Sequence, residues 1–416
     1  MPPGPGRFPC VKGIRPYRSG MLVLGVAPSP EAMEIVLASN FDDALVERTR
    51  DLPVASLFGS FPYQITGGGR PPHILPSVTR EEFHRHLRSV HAAGRTFYAT
   101  LNSSDLGLKE YRPGFLPAFL RAAEDLLDLG VDGFVIAIPA LVDALHRAHP
   151  EVPITVSSFA RIRTVTQAEY YKRLGADTVV LEEANRDFAL IRGLARIGLR
   201  VEVLVNQSCI PSCPYRFHHL NTSSLSSQFG EPCPLFEFPI VECGLEYVRT
   251  PWKLIASVFI RPEDLEVYEE EGVHRFKISG RNHATPWLVK VAQAYAGRKY
   301  EGNLLDILSY VQVRGPRSAL ATLADDPREP QVVRAFTEAF APLADVVIDN
   351  TRFPPGFLRR IATMDCEHRS CSQCGYCRSV AEKVLRIRGV PPSAYHPPEG
   401  LPEPEALLPL LGPASP

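Results

Sequence analysis

Residues 133–184 read GFVIAIPALVDALHRAHPEVPITVSSFARIRTVTQAEYYKRLGADTVVLEEA. Three β-branched apolar runs stand in it: GFVIAIP from Gly133, PITVSSFA from Pro153 and TVVLEEA from Thr178. Between the last two lies TQAEYYKRLG, polar and apolar at helical spacing and closed by a glycine. Strands covered on both faces read as near-continuous apolar runs, and parallel neighbours need a helical crossover, so the stretch predicts βα units of a parallel sheet.

The alternation extends outward from about Val54 to Arg281. Further strands are expected at VASLFGSF from Val54, RTFYATLNS from Arg95, RVEVLVNQS from Arg200, KLIASVFI from Lys253 and RFKISGR from Arg275, with helices such as REEFHRHLRSVHAAG and PAFLRAAEDLLDLG between them. Eight strands in all predict an α/β chain with a (β/α)8 TIM-barrel-like core. An open doubly wound sheet has the same alternation. The barrel is preferred because polar residues recur at strand carboxyl ends, which a barrel gathers on one face: Asn102, Ser103, Ser157, Ser158, Glu182, Glu183, Asn206, Gln207, Arg261 and Arg281. MLVLGVAP from Met21 is a further candidate for the first strand.

The expected organisation is a flexible segment over 1–20, a barrel over 21–300 with a cysteine loop at 206–245, a helical, cysteine-rich C-terminal extension over 301–388 and a disordered proline-rich tail over 389–416. In the extension, Asn303 to Gln312, Pro330 to Phe340 and SVAEKVLRIRG are expected to be helical. With 45 basic and 46 acidic residues interspersed, no global field points to nucleic acid. No apolar run suits a signal peptide or a bilayer span. A cytoplasmic location is therefore expected, where thiols bind metals or catalyse rather than crosslink; disulfides are the alternative for an exported chain.

The cysteines carry the strongest chemical signal. Of nine, four stand at Cys366, Cys371, Cys374 and Cys377 in CEHRSCSQCGYC, four at Cys209, Cys213, Cys233 and Cys243, and Cys10 is left over. Two groups of four thiols suit two tetrathiolate sites, each a cubane 4Fe-4S cluster or a zinc ion. A structural zinc knuckle at the first group, and ordinary buried thiols in the second, remain the plain alternatives. The second group lies in the long loop NQSCIPSCPYRFHH and beyond, at the presumed active-site face, and is expected to be the one that meets substrate.

Lys277 and Arg281 in RFKISGR, with Arg261, are expected to orient an anionic donor or substrate; salt bridges to Glu182, Glu183 or Glu263 are the alternative. His218, His219 and His283 could ligate metal or transfer protons, with His218 the catalytic candidate; with eight cysteines available, each is expected beside a metal or in a structural role. A radical S-adenosylmethionine site would need a third cysteine where Arg216 stands. GGGR at Gly67–Arg70 is no Walker loop or dinucleotide fingerprint and reads as a tight loop. Neither a hydrolase nucleophile elbow nor an HExxH motif is present.

From about Leu24 to Leu308 the chain resembles the peptidase U-32 family, also called collagenase-like proteases. The likeness is carried by FIRPEDLEVYEEEGVHRFKISGRNHATPWLVKVAQAYAGRKYEGNLLDIL, with its FKISGR core, and by the CPYR-type cysteine loop; a subgroup with a C-terminal four-cysteine motif is the nearest. The resemblance implies a barrel-like catalytic core and a 4Fe-4S cluster held by the central loop. It also implies oxygen-independent hydroxylation, which in this family acts on transfer RNA, ribosomal RNA or ubiquinone precursors with prephenate implicated as hydroxyl donor; other members are assigned peptidase activity. The family commonly spaces its first two loop cysteines more widely, and a later pair more closely, than Cys209/Cys213 and Cys233/Cys243. The expected protein is an iron-sulfur hydroxylase or related oxidoreductase with an electron-transfer partner. A peptidase and a zinc-stabilised binding module are the alternatives.

Overall fold

The computed structural model describes residues 32–61, 65–228, 238–310, 330–403 and 405. Eight parallel strands close into a barrel: β1 Glu34–Ala38, β2 Val54–Gly59, β3 Thr96–Leu101, β4 Gly133–Ile136, β5 Ile154–Val156, β6 Thr178–Leu181, β7 Arg200–Leu204 and β8 Arg275–Ile278. Closure is made by β8 on β1, where Arg275 stands beside Glu34 and Lys277 beside Val36. Crossover helices α1 Asp43–Arg48, α2 Arg80–Ala92, α3 Phe115–Asp128, α4 Pro139–Ala148, α5 Val165–Arg173 and α6 Phe188–Arg196 follow the first six strands in turn. Their starts are chemically marked: Thr79 and Glu82 form a reciprocal capping box on α2.

The strand count agrees with the sequence reading, but two memberships differ. EIVLA supplies β1, and KLIASVFI is not a strand. Lys253–Ala256 makes one helical turn, after which Val258 donates to the Cys209 carbonyl (3.0 Å) and Ile260 to the Val205 carbonyl (2.8 Å). The barrel is already closed at that point, since β7 pairs directly with β8 and Val205 N–H reaches the Lys277 carbonyl. The run is apolar because Val258, Phe259 and Ile260 are buried on both sides, a situation in which periodicity does not tell strand from other buried chain. The Met21 segment and residues 1–20 lie outside the described residues.

Between β7 and β8 the chain forms α7 Arg216–Ser226, α8 Phe238–Arg249, α9 Lys253–Ala256 and α10 Leu265–Glu269; α11 Thr285–Ala296 follows β8. The extension adds helices at Pro330–Phe340, Phe357–Ala362 and Tyr376–Val384 and an antiparallel pair, β9 Val346–Ile348 and β10 Leu385–Ile387. The helix expected over 303–312 is only a 3-10 turn at Leu304–Asp306, capped by Asn303, and its last two residues lie outside the described ones. In SVAEKVLRIRG the helix stops at Val384 because Leu385–Ile387 leaves to pair with β9. The tail expected to be disordered from 389 continues as packed chain to 403: Tyr395 and Leu401 lie against the core, and Ser393 Oγ donates to Glu382 (2.7 Å). Among the described residues no helix is long and apolar enough to cross a membrane.

Candidate active site at the mouth of the barrel

The loop after β7 carries Cys209 and Cys213 across the carboxyl ends of the strands, and α8 brings Cys243 down beside them. Tyr247, one turn further along α8, fixes this docking by donating its hydroxyl to the Ser208 carbonyl. Cys209, Cys213 and Cys243 lie within reach of one another's charge. Burial pushes the Cys209 thiol up to about 12 and the Cys243 thiol well above its ordinary value, while the nearby Arg216 guanidinium opposes both. Arg216, at the start of α7, is ion-paired with Glu182 at the end of β6, and Glu182 in turn lies close enough to Cys209 to raise its thiol further. Cys233, the fourth member of the expected group, lies outside the described residues.

Three thiols converging beside a buried cation fit the donor set of an iron-sulfur cluster, whose thiolates carry negative charge that Arg216 would balance. Among the described residues no three Cys, His, Asp or Glu side chains stand close enough to share a single metal ion.

The other half of the mouth is cationic. Arg281, just past β8, donates Nη1 to Ser60 Oγ and to Thr100 Oγ1 (3.0 Å) and Nη2 to the Gly68 carbonyl (2.7 Å). Among the described residues it has no carboxylate partner, and burial together with the charge of Arg70 pulls its pKa down to about 9. Arg70 is likewise without an ion pair among the described residues; its Nη1 meets only the Gly69 carbonyl (3.0 Å), and its field is shared by Arg216, Glu182 and Cys209. The glycines ahead of it let the backbone sink into the mouth. A Cβ on Gly68 would stand 1.9 Å from Ser60 Oγ, and Gly69 holds φ +65 against Phe159 and Asn102. Asn102 Oδ1 is buried there without a hydrogen-bond partner among the described residues, while its Nδ2 donates to Ser157 Oγ (3.2 Å). A small pocket beside these groups is lined by Ser158, Arg161, Arg163, Glu182, Glu183 and Arg216.

Other expected site residues fall elsewhere. Lys277 is directed into the barrel, 2.6 Å from Glu202 and over the Phe58 ring, because strand alternation on β8 turns it inward with Arg275. Its charge is balanced by Glu202, a partner absent from the alternatives weighed above. Arg261 is clamped by both nitrogens to Asp264 (2.7 Å each) and stacked on Phe353, at the seam with the extension. His218 is exposed on α7 against Phe217. Its neighbour His219 is the histidine near Arg216 and Arg70, and burial with those two charges takes it down to about 3, so it is a neutral imidazole. Arg70 is the functional candidate that sequence reasoning passed over, its signal being three consecutive glycines.

A Ser-His-Asp hydrogen-bond chain does occur, from Ser39 Oγ to His86 Nε2 (2.8 Å) and from His86 Nδ1 to Asp43 (2.8 Å). Ser39 is 0% exposed and His86 1%, and the ring packs edge-on against Phe41 and Phe97. No substrate carbonyl has access to that hydroxyl, so the chain pins β1 to α2 and performs no hydrolysis.

Comparison with known proteins finds several similarities. Residues 76–212 match the model of peptidase family U32. An uncharacterized protease of Methanocaldococcus jannaschii, MJ1657, is 26% identical over 334 residues, covering 80% of this chain and 89% of that protein. The tRNA hydroxylation protein P of Escherichia coli K12 is 25% identical over 312 residues, covering 59% of this chain and 67% of that protein. The solved structure of the U32 peptidase Mk0906 is 21% identical, with a TM-score of 0.44 over 60% of this chain and 92% of that one. With a barrel segment matched by the family model and the archaeal relative aligned over most of both proteins, the chain is similar to peptidase family U32.

Proposed function

We propose that the chain is an iron-sulfur enzyme that carries out oxygen-independent hydroxylation, or a related redox transfer, using an anionic small molecule bound at the barrel mouth. The observation that carries this reading is the pair Arg281 and Arg70, two guanidiniums without carboxylate partners among the described residues, set beside the group Cys209, Cys213 and Cys243. Desolvating a cation costs several kcal/mol, roughly, unless an opposite charge arrives, so such a pair marks the place for an anion. The relative named as a tRNA hydroxylation protein supports the same class of chemistry.

In such a transfer the hydroxyl group leaves the donor and a hydrogen of the substrate takes its place, so the substrate is oxidised by two electrons and the donor reduced by two. A cluster on the loop cysteines supplies one-electron redox chemistry at this mouth when bound. Arg281 and Arg70 hold the anion's carboxylate, with Arg able to make a bidentate contact. His219, held neutral by burial and by Arg216 and Arg70, adds no positive charge of its own to this mouth.

The test is anaerobic purification followed by iron and acid-labile sulfide analysis of the wild type and Cys213→Ala, and calorimetric titration with prephenate for the wild type and Arg281→Gln. The expected result is loss of about four irons and four sulfides in Cys213→Ala. Arg281→Gln should keep its iron and bind prephenate at least about tenfold more weakly. Zinc without sulfide, or equal binding by both proteins, would sink the reading.

A further inference from the structure

We propose that Cys366, Cys371, Cys374 and Cys377 hold a second 4Fe-4S cluster, seated against Arg186 on the rim of the barrel's carboxyl face. The site is separate from the mouth and does not depend on the function proposed for it.

The four thiols fall within one short stretch of chain. Cys371 to Cys374 form a single helical turn, Gly375 reverses the backbone at φ +66, and Cys377 is the second residue of the next helix, Tyr376–Val384. Cys366 and Cys377 each lie within the field of Cys371 and Cys374. A zinc ion, with Zn–S near 2.3 Å, draws its four sulfurs to within about 4 Å of one another. A cubane instead gives each thiolate its own iron and accepts four sulfurs spaced more widely than that.

The barrel side of the site is prepared for negative charge. Arg186, in the loop after β6, spends its Nη1 and Nη2 on the carbonyls of Ala256 and Phe259, while its Nε is buried with no hydrogen-bond partner among the described residues. Cys377 and Cys366 are among the groups whose charge it feels. A buried donor left unpaired costs about 1–3 kcal/mol, and a sulfur of a tetrathiolate cluster is the kind of acceptor that would relieve it. Beside the motif, Glu367 holds the guanidinium of Arg163, a residue that lines the small pocket. Loading the site would therefore fix one wall of that pocket.

The test reconstitutes the full chain with ferrous iron and sulfide under argon and counts both per chain in the wild type, Cys371→Ala/Cys374→Ala and Cys213→Ala. About eight of each in the wild type, falling to about four in the first variant, is the expected result. Retention of that remaining half in Cys371→Ala/Cys374→Ala with loss of it in Cys213→Ala would support both sites. Iron lost only from Cys371→Ala/Cys374→Ala would keep this site and remove the mouth cluster. Unchanged iron and sulfide in Cys371→Ala/Cys374→Ala, or zinc released by it with no sulfide change, overturns the proposal. Should that variant fail to fold, Arg186→Gln decides: it should keep full iron content and move one of two reduction potentials downward, because a positive charge has left the cluster's surroundings. Two potentials identical to the wild type's overturn the proposal.

Discussion

Lys277 and Arg281 stand four residues apart on one strand and its continuation, yet meet opposite fates. Lys277 is used up inside the barrel by Glu202, which Arg275 also approaches at 3.5 Å. Removing one member of a buried pair strands the other, so Lys277→Met should destabilise the fold by about 3 kcal/mol in urea unfolding, and Lys277→Met/Glu202→Gln should recover much of that loss. Equal losses in the single and double variants would show that the pair is not the cause. Arg281 lies past Gly280, where the chain turns outward at φ +133, and keeps its charge unmatched. Its pKa is lowered to about 9, so prephenate affinity should hold steady through neutral pH and fall as pH rises through about 9. Affinity independent of pH to 10, on that scale, would place the anion elsewhere. The β8 motif showed that cations belong near this mouth. Which cation would be free was hidden, because Glu202 is seventy-odd positions away on the neighbouring strand and only barrel closure brings it to Lys277.

At the scale of elements, the clasp between β1 and α2 makes a pH prediction. His86 is pulled below its ordinary value mainly by burial, against the opposing hydrogen bond of Asp43. The unfolded chain therefore takes up the proton more readily than the folded one. Stability due to this group is complete above about pH 6.5 and drains away as pH falls toward the lower folded value. The difference in unfolding free energy between wild type and His86→Gln should accordingly be largest above neutrality, about 2 kcal/mol, and shrink by pH 5. A difference that grows on acidification would reverse the assignment. The elements themselves were legible wherever both ends carried chemistry, as in α2, with a capping box at Thr79–Glu82 and Gly94 at φ +72 after its end. They were illegible where burial erased the period: KLIASVFI is as apolar as any strand here because it is packed against the extension, whereas EIVLA, the true first strand, is one short run of five residues.

Among the described residues the barrel and the extension share one main apolar core, which the division into barrel and extension does not reflect. Phe353, Phe357, Val380 and Leu385 of the extension belong to the same cluster as Ile35 and Phe276 of the barrel. Polar links cross the seam as well: Asn350 Nδ2 donates to Glu263 (2.8 Å), Arg359 pairs with Glu266 and Glu270, and Arg378 lies over the Trp252 ring. The sequence suggested an appended segment because its strand-helix rhythm stops near residue 300, and rhythm carries no information about what later packs against it. A shared core of this kind unfolds as a unit, since exposing the extension would uncover barrel side chains such as Phe259 and Trp252 along with it. Heating the anaerobically purified protein should therefore give one transition, with tryptophan fluorescence, which reports Trp252 at the seam and Trp287 on α11 of the barrel, and far-ultraviolet circular dichroism sharing a midpoint. Trp252→Ala should lower that common midpoint by about 5 °C while keeping the two probes coincident, as the loss of a buried ring at a cooperative interface requires. Two separated transitions, with only the fluorescence step moved by the substitution of Phe357→Ala, would mean that the extension opens on its own and that the cysteine motif it carries reports on a module rather than on the barrel.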